Sequence, residues 1–257
     1  MKIVVLGFGH MGSWIAVELA KRHDVFIYDI DKRKTKRVKN LGVIRAKKEI
    51  LHLSPGILVN AVSLPNTVQA FKSVARFLPG DCLLCDLASV KGRIADYYQA
   101  CPFKFFSAHP MFGPTFANVE SLRDENVILI RESHPEGTAF FQPFFQSFGL
   151  KIHIATFAEH DRMTAYSLTL PFVFSLAFAA CLDQKPVPGT TFKKQMAIAK
   201  GLLAEDDGLL SEILFNPHSL PQVEQVTRRL EFLKHIIKAR DFEEARKFFD
   251  RLRENIQ

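Results

Sequence analysis

The 257-residue chain contains one tryptophan and only four cysteines: Cys82, Cys85, Cys101 and Cys181. Cys82 and Cys85 form a C-x-x-C, but no second pair completes a metal site. "DCLLCDL" reads as a buried strand that turns the two thiols to opposite faces. Metal and thiol redox chemistry are therefore not expected, and the cysteines read as core residues of a protein in a reducing cytoplasm. Internal repeats and low-complexity linkers are also missing. The opening "MKIVVLGFGHMG" places glycines too early for a signal peptide and carries no cleavage pattern. Charge is not extreme: 34 Lys and Arg stand against 27 Asp and Glu, a net +7. The excess is scattered, as in "KRKTKRVK" at 32–39. It reads as a solvated basic surface able to steer a small anion, and no nucleic-acid partner is expected. One stretch lacks charge altogether. Residues 163–182, "MTAYSLTLPFVFSLAFAACL", are long enough to span a bilayer. Thr164, Ser167, Thr169, Pro171 and Ser175 dilute its hydrophobicity, and it reads as the centre of a helical domain or dimer rather than a membrane span.

What is abundant is core material: 47% hydrophobic residues, including 24 phenylalanines. Nearly continuous apolar runs at 2–7, 24–29, 56–62, 81–87, 103–109, 126–132 and 151–156 predict strands covered on both faces. Helical patterns near 12–22, 32–41, 66–77, 89–99 and 137–148 alternate with them, as in a parallel, doubly wound sheet. Beyond about residue 157 the strand signals stop, and Asp241 with Glu244 forms a capping-box pattern for the last helix. The expected fold is α/β, a Rossmann-like doubly wound sheet over 1–156, followed by an all-helical domain over 157–257.

Gly7, Phe8, Gly9, His10, Met11 and Gly12 spell G-x-G-x-x-G between the first strand and the helix that follows. In that setting Gly7 permits the turn, Gly9 the approach of a pyrophosphate, and Gly12 the packing of helix on strand. The helix N-terminus adds unpaired N–H groups for the phosphates. Asp29 closes the second strand about twenty residues further on, where a carboxylate accepts from the adenosine ribose hydroxyls and repels a 2′-phosphate. The cofactor expected is NAD, although Lys32 and Arg33 follow closely enough to offset a phosphate. Ser63, at the end of the third predicted strand, is placed beside the nicotinamide half or in a helix-starting turn.

Three motifs remain: "DLASVK" (86–91), "HPMFGP" (109–114) and "EHDRMTAYSLTLPFVFSLAFA" (159–179). His109 stands where a strand ends, a place where α/β domains handle ligands. Taken alone, it fits either a general base or a loop-stabilising residue. In combination with "GFGHMG", these motifs resemble the prephenate dehydrogenase family of tyrosine biosynthesis, which includes arogenate dehydrogenases, from residue 1 to about 215.

The resemblance implies NAD-dependent oxidative decarboxylation of prephenate to 4-hydroxyphenylpyruvate. It further implies that His109 is the base for the substrate 4-hydroxyl and that Ser89 bonds the same hydroxyl and orients His109. Ser89 is equally suited to cap the next helix. By the same resemblance His160 lies near the substrate's carboxylate end, and Lys91 is read either as a carboxylate ligand or as nearby positive charge. Lys193, with Lys194 beside it, falls where the family usually has an arginine gripping a carboxylate. A lysine lacks the bidentate fork, which bears on the choice between prephenate and arogenate. The resemblance also implies a homodimer through the helical domain and possible association with chorismate mutase or prephenate dehydratase, neither of which is seen within these residues. An arogenate dehydrogenase and, in a different class, a noncatalytic NAD-binding regulator are the alternatives that the motifs admit.

Overall fold

A computed structural model describes residues 1–36, 38–113, 122–183, 187–205 and 207–256. The N-terminal part runs β1 (Lys2–Leu6), α1 (His10–Ala20), β2 (Asp24–Tyr28), α2 (Lys32–Thr35), β3 (Gly42–Val43), α3 (Glu49–Leu53), β4 (Ile57–Asn60) and α4 (Thr67–Val74). It continues through β5 (Leu83–Asp86), α5 (Gly92–Ala100), β6 (Phe105–Pro110), β7 (Asn126–Ile130), α6 (Pro135–Gln146) and β8 (Lys151–Ala155). The strands form one eight-stranded sheet in the order β3-β2-β1-β4-β5-β6-β7-β8. Successive residues of β1 feed opposite layers. Ile3 and Val5 pack with Trp14, Ile15 and Phe141, whereas Val4 and Leu6 pack with Phe71, Leu84 and Tyr98. This two-sided burial is why the strands lack polar alternation. Cys82 and Cys85 fall into opposite layers, as period-two geometry requires, and burial pushes the Cys82 thiol up to about 12.

Two expectations need correction. The sheet is not wholly parallel, because β6 and β7 pair antiparallel with His109 opposite Ile128. The segment joining them has no crossover helix among the described residues, and an antiparallel neighbour needs none. The helix expected over 32–41 stops at Thr35, and Gly42 opens the added strand β3.

After Ala155 the chain is helical: α7 (Phe157–Thr164), a π-turn at Ala165–Thr169, α8 (Leu170–Ala180), α9 (Thr190–Leu202), α10 (Asp207–Leu214), α11 (Ser219–Ala239) and α12 (Phe242–Glu254). A reciprocal capping box forms at Thr156 and Glu159, opening α7. At α12 the Asp241 side chain accepts from the Glu244 N–H.

Candidate active site

The order of strands changes direction between β1 and β4, the crevice where ligands bind in open α/β sheets. Strand register aligns Tyr28, Leu6, Asn60, Asp86 and Ser107 across the sheet's carboxyl edge. The glycine loop, Ser63, Ser89 and His109 all lie just beyond that row.

Gly7 has φ +87°, and a Cβ there would lie 2.6 Å from the Ala61 carbonyl oxygen. A Cβ on Gly12 would come within 2.1 Å of the Gly7 carbonyl oxygen. Around Gly9, by contrast, a Cβ would meet nothing within 4 Å. The loop therefore closes tightly on its own backbone at two glycines and leaves open space at the third, which fits the diphosphate of a dinucleotide. His10 and Met11 form the first turn of α1. Asp29 holds the loop in place: Oδ2 accepts from the Phe8 N–H at 2.7 Å and Oδ1 from the Asp31 N–H at 2.8 Å. Each oxygen keeps a further acceptor site for a ribose hydroxyl. Arg33 does not fold back toward the loop; it forks onto Asp31 through Nε and Nη2, both at 2.9 Å. Ser63 is exposed, and its hydroxyl accepts from the Asn66 side chain at 2.8 Å.

The other half of the edge is buried and polar. His109 is 5% exposed, and its Nδ1 lies 2.9 Å from Nε2 of His160, which has no exposure. The bond spans 51 residues and joins β6 to the first turn of α7. His160 Nδ1 sits 2.9 Å from Oδ1 of Asp161, and the Thr164 hydroxyl lies 3.4 Å from His160 Nε2. Asp161 Oδ1 also accepts the Lys91 backbone N–H at 2.8 Å, across a separation of 70 residues. Burial, then the charges of His160 and Lys91, hold His109 well below the ordinary imidazole range. Burial also lowers His160, against the raising effect of Asp161. Both imidazoles are thus favoured in the neutral form, as a proton acceptor requires.

Of the two readings of Lys91, the geometry fits positive charge near the site rather than a carboxylate ligand. Its side chain is fully buried, donating from Nζ to Asp86 Oδ1 at 2.6 Å and to the Ala108 carbonyl at 2.7 Å. Asp86 also accepts from the Tyr98 hydroxyl at 3.0 Å and the Ala88 N–H at 3.0 Å. His160, placed by resemblance at a carboxylate end, is instead sealed behind His109. Ser89 is half-buried in the loop after β5 and does not cap α5, whose N-cap is Lys91. Lys193 and Lys194 are exposed on α9. Lys193 lines a shallow groove with Phe192, Met196 and Lys200, and no bond among the described residues links it to the histidine pair. Pro114, the last residue of "HPMFGP", lies outside the described residues.

Sequence reasoning passed over Asp86, Tyr98 and Asp161. A signal existed for Asp86: a carboxylate ending the buried run "LLCD" needs a cation, and Lys91 follows five residues later.

A dinucleotide-shaped glycine loop that shares one sheet edge with a buried histidine pair, and a helical part that supplies half of that pair, define a class: Rossmann-type proteins in which residues of a following helical part reach the sheet's carboxyl edge. Within that class, the chain belongs to the prephenate dehydrogenase family, whose nucleotide-binding domain matches residues 15–149, just over half of the chain. The match takes in Asp29, Ser63, Ser89, Lys91 and His109. It leaves out the glycine loop, His160 and Asp161.

The T-protein of Enterobacter agglomerans is 27% identical over 180 residues, 66% of this chain and 47% of that protein. The prephenate dehydrogenase of Lactococcus lactis subsp. cremoris (strain MG1363) is 24% identical over 276 residues, 97% of this chain and 75% of that protein. The chain therefore spans about half the length of the first relative and about three quarters of the second. A solved prephenate dehydrogenase from A. aeolicus, in complex with hydroxyphenyl propionate and NAD+, superposes with a TM-score of 0.85 at 19% identity, covering 100% of this chain and 98% of that one. At that identity the likeness is one of fold.

Proposed function

We propose that this chain is an NAD-dependent prephenate dehydrogenase, with residues 1–156 holding the cofactor and 157–257 closing the substrate site and forming a homodimer. The observation that carries the reading is the buried His109–His160 bond on the same sheet edge as the glycine loop. When bound along Gly7–Gly12 and Asp29, NAD supplies the hydride acceptor. His109 takes the proton of the substrate 4-hydroxyl as the hydride leaves the same ring carbon and a carbonyl forms there. The bond to the ring carboxylate then breaks, carbon dioxide departs, and its electron pair aromatises the ring to the phenolate, which takes the proton back from His109 to give the phenol. A base so placed contributes about 10²–10⁴ in rate. Ser89, in the loop after the strand that neighbours the one carrying His109, is assigned the hydroxyl contact.

The test is NADH production from NAD⁺ with prephenate or arogenate. His109→Asn is expected to lower prephenate turnover by about 10²–10⁴ with NAD affinity intact, and turnover of neither substrate by the wild type overturns the reading. Arogenate is the second reading: Lys193 stands exposed where an arginine is usual, and a lysine, lacking the bidentate fork, holds less firmly a carboxylate that both substrates carry.

Support for a homodimer comes from α8, an uncharged helix with only Ser175 buried in the protomer. The helix Phe157–Ala180 has the length and composition to cross a membrane, yet its first turn carries His160 and Asp161 into the sheet's edge. We therefore read it as an interface rather than a span. The four free thiols suit a reducing compartment, the cytoplasm.

A further inference from the structure

The bonds behind His109 have a direction, and it is set at their far end. A backbone N–H can only donate, so the bond from Lys91 N–H makes Asp161 Oδ1 an acceptor. The same oxygen then requires a proton on His160 Nδ1, 2.9 Å away. A neutral His160 protonated at Nδ1 presents a lone pair at Nε2. His109 must therefore donate from Nδ1 across the 2.9 Å bond, leaving the lone pair of a neutral His109 on Nε2. Among the described residues no protein group bonds that nitrogen. The Thr164 hydroxyl at 3.4 Å can donate or accept and imposes no direction of its own.

We propose that Asp161 is the positioning residue that, acting through His160, fixes His109 in the tautomer whose Nε2 is free to accept the substrate proton. This deepens the reading of His109 as the base and rests on it. Asp161 is built for the task. It is 7% exposed, and its backbone carbonyl accepts from the Asn216 side chain at 2.9 Å, which ties the first turn of α7 on a second side. The carboxylate therefore cannot swing away from His160 without breaking its bond to the Lys91 N–H, and the helix turn that carries it cannot shift without breaking the Asn216 bond. The helical part thus contributes an alignment device to a base carried by the sheet. When His109 takes a proton, the resulting positive charge faces an imidazole already polarised by a carboxylate, a favourable arrangement in a low-dielectric site.

The experiment compares wild type, Asp161→Asn and Asp161→Ala by two readouts. One is the ¹⁵N imidazole spectrum of the unliganded protein, which distinguishes protonated from unprotonated ring nitrogens. The other is kcat and KM for NAD and prephenate.

In the wild type, Nδ1 of both His109 and His160 is expected to be protonated and Nε2 not. Removing the acceptor in Asp161→Ala mixes the tautomers and lowers kcat on the order of 10²-fold, while KM for NAD stays within about threefold. Asp161→Asn keeps a carbonyl for Lys91 N–H and His160 but loses the charge, so it retains the tautomer and loses about tenfold in kcat. An Ala variant that folds with unchanged nitrogen signals and kcat overturns the proposal. If the Ala variant does not fold, an Asn variant with wild-type kcat does so. Should the wild type turn over neither prephenate nor arogenate, the proposed function fails while the nitrogen spectrum still decides the tautomer.

Discussion

The two halves of this sheet edge are held by different means. The cofactor half is built from backbone: Gly7 and Gly12 close on carbonyls at distances that admit no Cβ, and Asp29 pins the loop by accepting main-chain N–H groups. The half proposed to be catalytic is built from side chains held by bonds that reach up to 70 residues along the sequence, with Lys91, Asp86, His109, His160 and Asp161 all buried. A backbone site tolerates solvent and needs only the right residue at each turn. A side-chain site in the interior needs every partner present, because a buried charge left alone costs several kcal/mol. The first half should therefore fail through crowding, the second through loss of a partner.

The largest effect on stability is expected at Lys91. Replacing it by methionine leaves the Asp86 carboxylate buried with only Tyr98 and Ala88 for partners. The expected cost is about 3–5 kcal/mol in urea unfolding of the cofactor-free protein. Adding Asp86→Asn to Lys91→Met removes the stranded charge and recovers part of the loss. A single variant as stable as wild type would show that the pair contributes nothing to the fold.

Smaller, and divided by position, are the effects in the glycine loop. Gly12→Ala drives a methyl into the Gly7 carbonyl and is expected to cost about 1–3 kcal/mol even without cofactor. Gly9 has ordinary extended angles, φ −80° and ψ −164°, with open space around it. Gly9→Ala should leave the unfolding curve within about 0.5 kcal/mol of wild type while weakening NAD at least about tenfold in calorimetric titration, since the methyl fills the space a diphosphate needs. Equal destabilisation by both substitutions would mean that the loop is uniformly packed and the cradle is misassigned.

The same division explains what could be read from the sequence. The glycine loop, Asp29 and the apolar strands are local patterns, in which each residue's role follows from neighbours within about a turn or a strand. They were legible for that reason. His109 was legible as a residue at a strand's end but not as one of a pair, because its partner lies 51 residues away on a helix whose docking no local period encodes. For Lys91 the sequence left two readings, a carboxylate ligand or positive charge near the site, because a lysine five residues after a strand does not declare its partner. Only the packing of α5 and β6 shows that it turns inward to Asp86 and Ala108. The antiparallel β6–β7 junction was missed for a related reason: apolar runs report burial on two faces and say nothing of strand direction.

The smallest expected effect concerns acid. Burial holds the His109 pKa well below that of an unfolded-chain histidine near 6.5. Below about pH 6.5 the unfolded chain binds a proton that the folded protein refuses, so stability falls as pH drops and is unaffected by this group at higher pH. The slope is at most about 1.4 kcal/mol per pH unit for one histidine and ends at the folded pKa. His160 and His23, both lowered chiefly by burial, act in the same direction and remain when His109 is replaced. Urea unfolding of wild type and His109→Gln between pH 7.5 and 5.5 (a span of about two units around the histidine range) isolates the contribution. The variant should lose stability more slowly on acidification, by about 1 kcal/mol per pH unit. An identical slope would mean that His109 titrates normally in the folded protein. The negative charges of Asp86 and Asp161 near the pair would then offset both its burial and the charge of Lys91, and this half of the edge would be as well solvated, in effect, as the glycine loop.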